Sequence, residues 1–119
     1  MPKTASVHRW PNLPADRPMP LLERRRIIGD KAMISHVLLK KGCIVPTHAH
    51  ENEQFACILS GRLRFGIGAE GAPDRHDFLV SADEVLHLPS NVPHSAEALE
   101  DTLVLDIFSP PCERTGIDR

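Results

Sequence analysis

From residue 24 onward the chain breaks into short apolar runs separated by turn-forming residues. The pattern predicts nine strands, at about 24–28, 32–40, 44–50, 53–59, 62–68, 75–80, 85–88, 93–98 and 102–109. Each is bounded by Gly, Pro, Asp or Asn. Turn signals fall at Gly29, Gly42, Gly61, Gly71, Asp83 and Asn91 at near-even spacing. Many short strands so spaced specify an all-β sandwich or barrel. Residues 1–22 differ: they hold five prolines and no period. They read as an extended N-terminal arm, ordered only where it packs on something. A single domain is expected over 23–119.

Two strands say more than where they begin and end. In 53–59, Gln54, Ala56 and Ile58 share one face, and Phe55, Cys57 and Leu59 the other. A strand wetted on one side alternates apolar with polar, so both faces of this one need a cover: the arm, a second sheet or a partner subunit. In "TLVLDIF", Thr102, Val104, Asp106 and Phe108 share a face. A carboxylate mid-strand between apolar neighbours needs a partner or a purpose, because burying it alone is costly. It is either an exposed strand-end Asp or a general acid/base facing a cavity. By the same alternation Arg62 and Arg64 point outward while Leu63, Phe65 and Ile67 face in. The run Arg24–Arg25–Arg26 reads as a solvated strand edge, and Trp10 as an anchor for the arm.

Composition narrows the classes. A net charge of -2 argues against nucleic acid or an anionic membrane as partner. No apolar run approaches the roughly 18 residues that span a bilayer. Cys43, Cys57 and Cys112 are an odd count without CxxC spacing, which reads as reduced thiols in a cytoplasmic protein.

The candidate chemistry lies in "GCIVPTHAHENEQFACILSG", residues 42–61. On a strand His48 and His50 project to the same side, about 7 Å apart, a spacing from which two imidazoles can reach one ion. Gln54 has the same parity once the chain turns at "ENE". His94, after the turn bracketed by Pro89 and Pro93, offers a third imidazole. Three imidazoles and an amide oxygen leave coordination positions open. His8, His36, His76 and His87 lack a second ligand at usable spacing, although His36 and His87 sit on strands and could line a cavity.

Gly42, His48, His50, Gln54 and Gly61, in the spacing G-x5-H-x-H-x3-Q-x6-G, resemble the first cupin motif, with Gln where most cupins have Glu. Asp83, Pro89, Asn91 and His94 resemble the second, with Asp83 and Asn91 in place of glycines. The resemblance implies a double-stranded β-helix, the cupin jelly-roll barrel, and the metal ligands His48, His50, Gln54 and His94. "THAHENEQ", "LPSNVPHSAEALED" and "LVLDIFSPP" are similar to the KdgF-type cupins of pectin degradation. That implies conversion of a 4,5-unsaturated uronate to its linear keto form, with Asp106 and Phe108 as catalytic residues. The family's Arg after "SPP" is here Cys112, with Arg114 two further on.

A neutral ligand set leaves a divalent ion (Ni, Zn, Fe or Mn) with its charge uncompensated, so the site favours a small anionic or chelating substrate. The rival readings are an Fe- or Mn-dependent dioxygenase of the quercetinase sort and a non-catalytic ligand-binding cupin. A homodimer is expected, built on the Phe55 face or the arm.

Overall fold

The computed structural model describes residues 4–113. Nine strands follow one another: β1 Leu22–Ile28, β2 Met33–Leu39, β3 Ile44–His48, β4 Glu53–Ser60, β5 Arg62–Ile67, β6 His76–Ser81, β7 Val85–Leu88, β8 His94–Ala98 and β9 Thr102–Ser109. They form two antiparallel sheets, one ordered β1-β2-β9-β4-β7 and the other β3-β8-β5-β6. Together they make the expected jelly-roll barrel. No helix among the described residues is long and apolar enough to cross a membrane.

Inward-facing residues follow the period of two. Leu22, Val37, Ala56, Ile58 and Val104 from the first sheet meet Val45, Leu63, Phe65 and Ala98 from the second in one buried cluster. Each buried Val, Leu, Ile or Phe of this cluster contributes about 1.5–3 kcal/mol, and the alanines less. Arg62 and Arg64 are exposed, as their alternation with Leu63 and Phe65 predicts.

The turns show why some residues stand where they do. Asp83 and Asn91 hold φ of 71° and 65°, the left-handed region usually left to glycine. Asn and Asp tolerate it better than other side chains do, so both can replace glycine there. Gly61, at φ 89°, has no such latitude: a Cβ there would collide with Asp101 O and the backbone of Thr102.

The arm clips the open edge of β1. A short 3-10 turn at Trp10–Asn12 puts the Trp10 ring 4.9 Å from that of His36 on the outer face. Asp16 then bridges β1 at Arg24 through two backbone hydrogen bonds. The reading of the Arg24–Arg26 run as a solvated edge is corrected here. Arg24 is only 2% exposed, shares the inward side with Leu22, and donates from Nε and Nη2 to the two carboxylate oxygens of Asp16 at 3.1 and 2.7 Å. A buried guanidinium requires such a partner, and the arm brings it.

The apolar face of β4 bearing Phe55 and Leu59 is covered neither by the second sheet nor by the arm. Both residues are exposed, together with Leu38, Val85 and Ile107 on the same sheet.

Candidate metal centre

β3 ends at His48, which pairs across the sheet with His94, the first residue of β8. His50 lies beyond the strand, in the loop before β4, not on the strand predicted over 44–50. Strand parity therefore does not align the two imidazoles; the loop does. Asn91 N donates to His50 O at 2.8 Å, and the buried Asn52 ties the same loop to Pro110 O through its Nδ2. The rings of His48, His50 and His94 gather with centroids 4.3 to 5.6 Å apart.

Each imidazole has Nδ1 on a backbone carbonyl: His48 on Pro46 O at 2.8 Å, His50 on Asn52 O at 3.0 Å, and His94 on Val92 O at 2.9 Å. A carbonyl only accepts, so Nδ1 carries the proton in every ring and Nε2 presents a lone pair. This is how ligating histidines are held to one tautomer. One ring nitrogen from each of the three lies within 4.8 Å of the others.

Gln54, on the inner face of β4, places Oε1 3.2 Å from His50 Nε2. With Nδ1 already protonated, a neutral His50 turns a lone pair toward a carbonyl lone pair. A cation between them would remove that repulsion. Three imidazole nitrogens and an amide oxygen thus fit a divalent ion. Burial is the main cause that pushes His94 down to about 4, with His48 and His50 adding to it, so it is neutral and able to ligate at ordinary pH.

Asp106 stands beside this set. It is 7% exposed, sits on the inner face of β9 opposite Ser35 and Ala56, and accepts a hydrogen bond from Gln54 Nε2 at 2.9 Å. Burial raises its carboxyl to about 7, partly opposed by the Gln54 hydrogen bond. Phe108, also buried, sets its ring edge-on to His50 at 5.7 Å. One cavity is lined by His48, Gln54, His94, Asp106 and Phe108 and continues into the apolar barrel past Val104 and Phe65.

The remaining histidines stand apart. His36 lies under Trp10, and His87 stacks on Phe55 at 4.6 Å and meets Glu53 at 2.7 Å, so neither lines the cavity. His76 packs against Phe78, and His8 meets Ser6. Asn52 was not legible as part of the site; nothing in the spacing marks a turn residue whose amide reaches the C-terminal segment. None of the three cysteines is in a disulfide. Arg114 lies outside the described residues.

The family described as cupin domain matches residues 35–108. The chain belongs to the cupin family. No curated protein matches its sequence. Among solved structures, KdgF from Halomonas sp. is 25% identical, with a TM-score of 0.81 over 92% of this chain and 97% of that one. An RmlC-like cupin from Shewanella frigidimarina NCIMB 400 is 19% identical, with a TM-score of 0.81 over 95% and 97% of the two chains. An oxalate decarboxylase from Lactobacillus farciminis, in a formate complex, is 17% identical; its TM-score is 0.79 over 95% of this cupin and 35% of that longer chain. These last two speak for the cupin barrel and no further.

Proposed function

We propose that this cupin is a metalloenzyme acting on a sugar acid, opening a 4,5-unsaturated uronate to its linear keto form. The observation that carries the reading is a buried carboxylate, Asp106, held by Gln54 in a cavity that His48 and His94 of the histidine cluster also line. The likeness to a KdgF over nearly the whole chain supports the substrate class.

His48, His50, His94 and Gln54 would hold a divalent ion, which when bound supplies Lewis acidity and draws the substrate's oxygens into the cavity. The ligands are all neutral, so the ion's charge is left to be met by an anionic substrate. The reaction is an isomerisation. A proton leaves the anomeric hydroxyl, the bond from C1 to the ring oxygen breaks to leave an aldehyde at C1 and an enolate at C5, and the enolate takes a proton at C4 to give the C5 ketone. One group that can take and then return a proton suffices. Burial raises Asp106 to about 7 in the metal-free chain, which brings it toward the range that such a shuttle requires. Its Oδ1 is engaged by Gln54, which leaves Oδ2 for the substrate. Phe108 and Val104 wall the carboxylate off from water.

The test is ring opening of 4,5-unsaturated galacturonate by the protein loaded in turn with Mn, Ni, Zn and Fe, followed by loss of the conjugated double bond's ultraviolet absorbance. Asp106→Asn is expected to cut turnover by roughly 10²–10⁴-fold while metal content stays intact. No ring opening with any of these metals refutes the substrate, and oxygen uptake would point to a dioxygenase instead.

The same reading includes a second copy of the chain. The outer face of the five-stranded sheet shows Leu38, Phe55, Leu59, Val85 and Ile107 at 37–57% exposure, and a contiguous apolar face of this kind favours a subunit contact. Trp10 is already used by its own chain's His36, which leaves the sheet face as the dimer surface.

A further inference from the structure

The Gln54 side chain is engaged at both ends. Its Nε2 donates to Asp106 Oδ1 at 2.9 Å, and its Oε1 faces His50 Nε2 at 3.2 Å. Gln54 and Asp106 lie on paired strands, Gln54 opposite Phe108 and Asp106 opposite Ala56, and all four of these side chains are buried. A primary amide has one donating end and one accepting end. A carboxylate accepts, so the NH₂ must turn to Asp106, and the carbonyl oxygen is thereby turned to the histidines.

We propose that Asp106 is a positioning residue that aims the Gln54 carbonyl at the His48–His50–His94 cluster, and that this pairing is why position 54 carries an amide and not a carboxylate. The first part rests on reading that cluster as the metal centre; the second does not. The Gln54→Glu change would set a carboxylate oxygen where Nε2 now stands, within hydrogen-bond distance of Oδ1 and shielded from water. Two carboxylates so close cannot both stay charged without cost: one must hold a proton or the side chain must leave its present rotamer, and in mildly alkaline buffer either is a penalty. The polarity can be reversed as a unit. When Asp106→Asn is added to Gln54→Glu, the new amide can donate to the new carboxylate. The other oxygen of that carboxylate then faces the histidines as the carbonyl of Gln54 does now. Asp106→Asn opposite the native Gln54 also works, because the introduced amide can turn its oxygen to Nε2. An aliphatic side chain in place of Asp106 offers nothing, and the Gln54 amide is free to flip.

Two measurements decide it. The first is Mn²⁺ affinity by titration calorimetry on wild type, Asp106→Asn and Asp106→Leu. Orienting partners of metal ligands are typically worth about 10–100-fold in affinity. Asp106→Leu is expected to lose that factor, and Asp106→Asn to stay within a few-fold of wild type. Equal affinity in wild type and Asp106→Leu overturns the aiming role. The second is thermal unfolding of chelator-treated Gln54→Glu, Asp106→Asn and the double variant in mildly alkaline buffer. Asp106→Asn is expected to raise the unfolding temperature far more in the Gln54→Glu background than in wild type. Equal shifts in both backgrounds overturn the pairing. A wild type that binds no Mn²⁺ ends the metal reading and the aiming role with it, while the metal-free cycle still judges the Gln54–Asp106 match. Where Asp106→Leu does not fold, Asp106→Ala, which likewise offers Gln54 Nε2 no acceptor, takes its place in the titration under the same criterion, and the cycle needs neither variant.

Discussion

Replacing Asp106 by Asn should make the metal-free protein more stable at neutral and alkaline pH, although it removes the residue we propose as the proton shuttle. The carboxyl has an ordinary value of 3.8 and is raised to about 7 by burial in the folded chain. A group raised on folding contributes stability that is complete below its unfolded value and is lost as pH rises through the folded one. The gap of roughly three pH units, at about 1.4 kcal/mol each, is about 4 kcal/mol lost between about pH 4 and pH 7. His94 acts in the opposite sense. Burial lowers it from 6.5 to about 4, so its stability is present above about pH 6.5 and is lost as pH falls toward 4, a loss of about 3 kcal/mol. In wild type the two slopes oppose each other over much of the same window. Asp106→Asn removes one and leaves the other. Urea unfolding of the chelator-treated proteins, followed by far-ultraviolet circular dichroism across that range, reads both. The stability of Asp106→Asn minus that of wild type is expected to grow by up to about 4 kcal/mol from acid to mildly alkaline pH, with the urea slope unchanged. A difference that stays flat with pH would refute the buried-carboxylate argument.

Replacing both His48 and His50 by Ala is expected to abolish bound metal, measured by elemental analysis, whereas His36→Ala and His87→Ala keep it, since both rings lie outside the cavity. Asp16→Ala removes the carboxylate that meets Arg24 Nε and Nη2 and should cost about 1–3 kcal/mol in urea unfolding. Adding Arg24→Met should recover much of that, because removing both partners spares the desolvated charge. Phe55→Glu with Leu59→Glu should convert a dimer to a monomer in sedimentation equilibrium without lowering metal content; a wild type that sediments as a monomer at micromolar concentration ends the dimer reading.

Much of this cupin was legible in the order of its residues. The alternation around Leu63, Phe65, Val104 and Asp106 assigned inner and outer faces because a strand's side-chain period of two is local. Gly42, Gly61, Asp83 and Asn91 marked turns because left-handed backbone admits few residue types. The set of His48, His50, Gln54 and His94 was readable through its likeness to the cupin motifs. Tertiary structure decided what depends on groups distant in sequence. Parity placed His50 on a strand, but it sits in a loop shaped by Asn52, Asn91 and Pro110. Arg24 looked like one of three surface arginines until the arm brought Asp16 against it. The Nδ1–H tautomers came from the carbonyls of Pro46, Asn52 and Val92. The bond from Gln54 to Asp106 joins residues on β4 and β9, far apart in the chain. A local pattern tells which way a side chain points. Only the closed barrel, by excluding water and choosing each group's partner, determines what that side chain is able to do there.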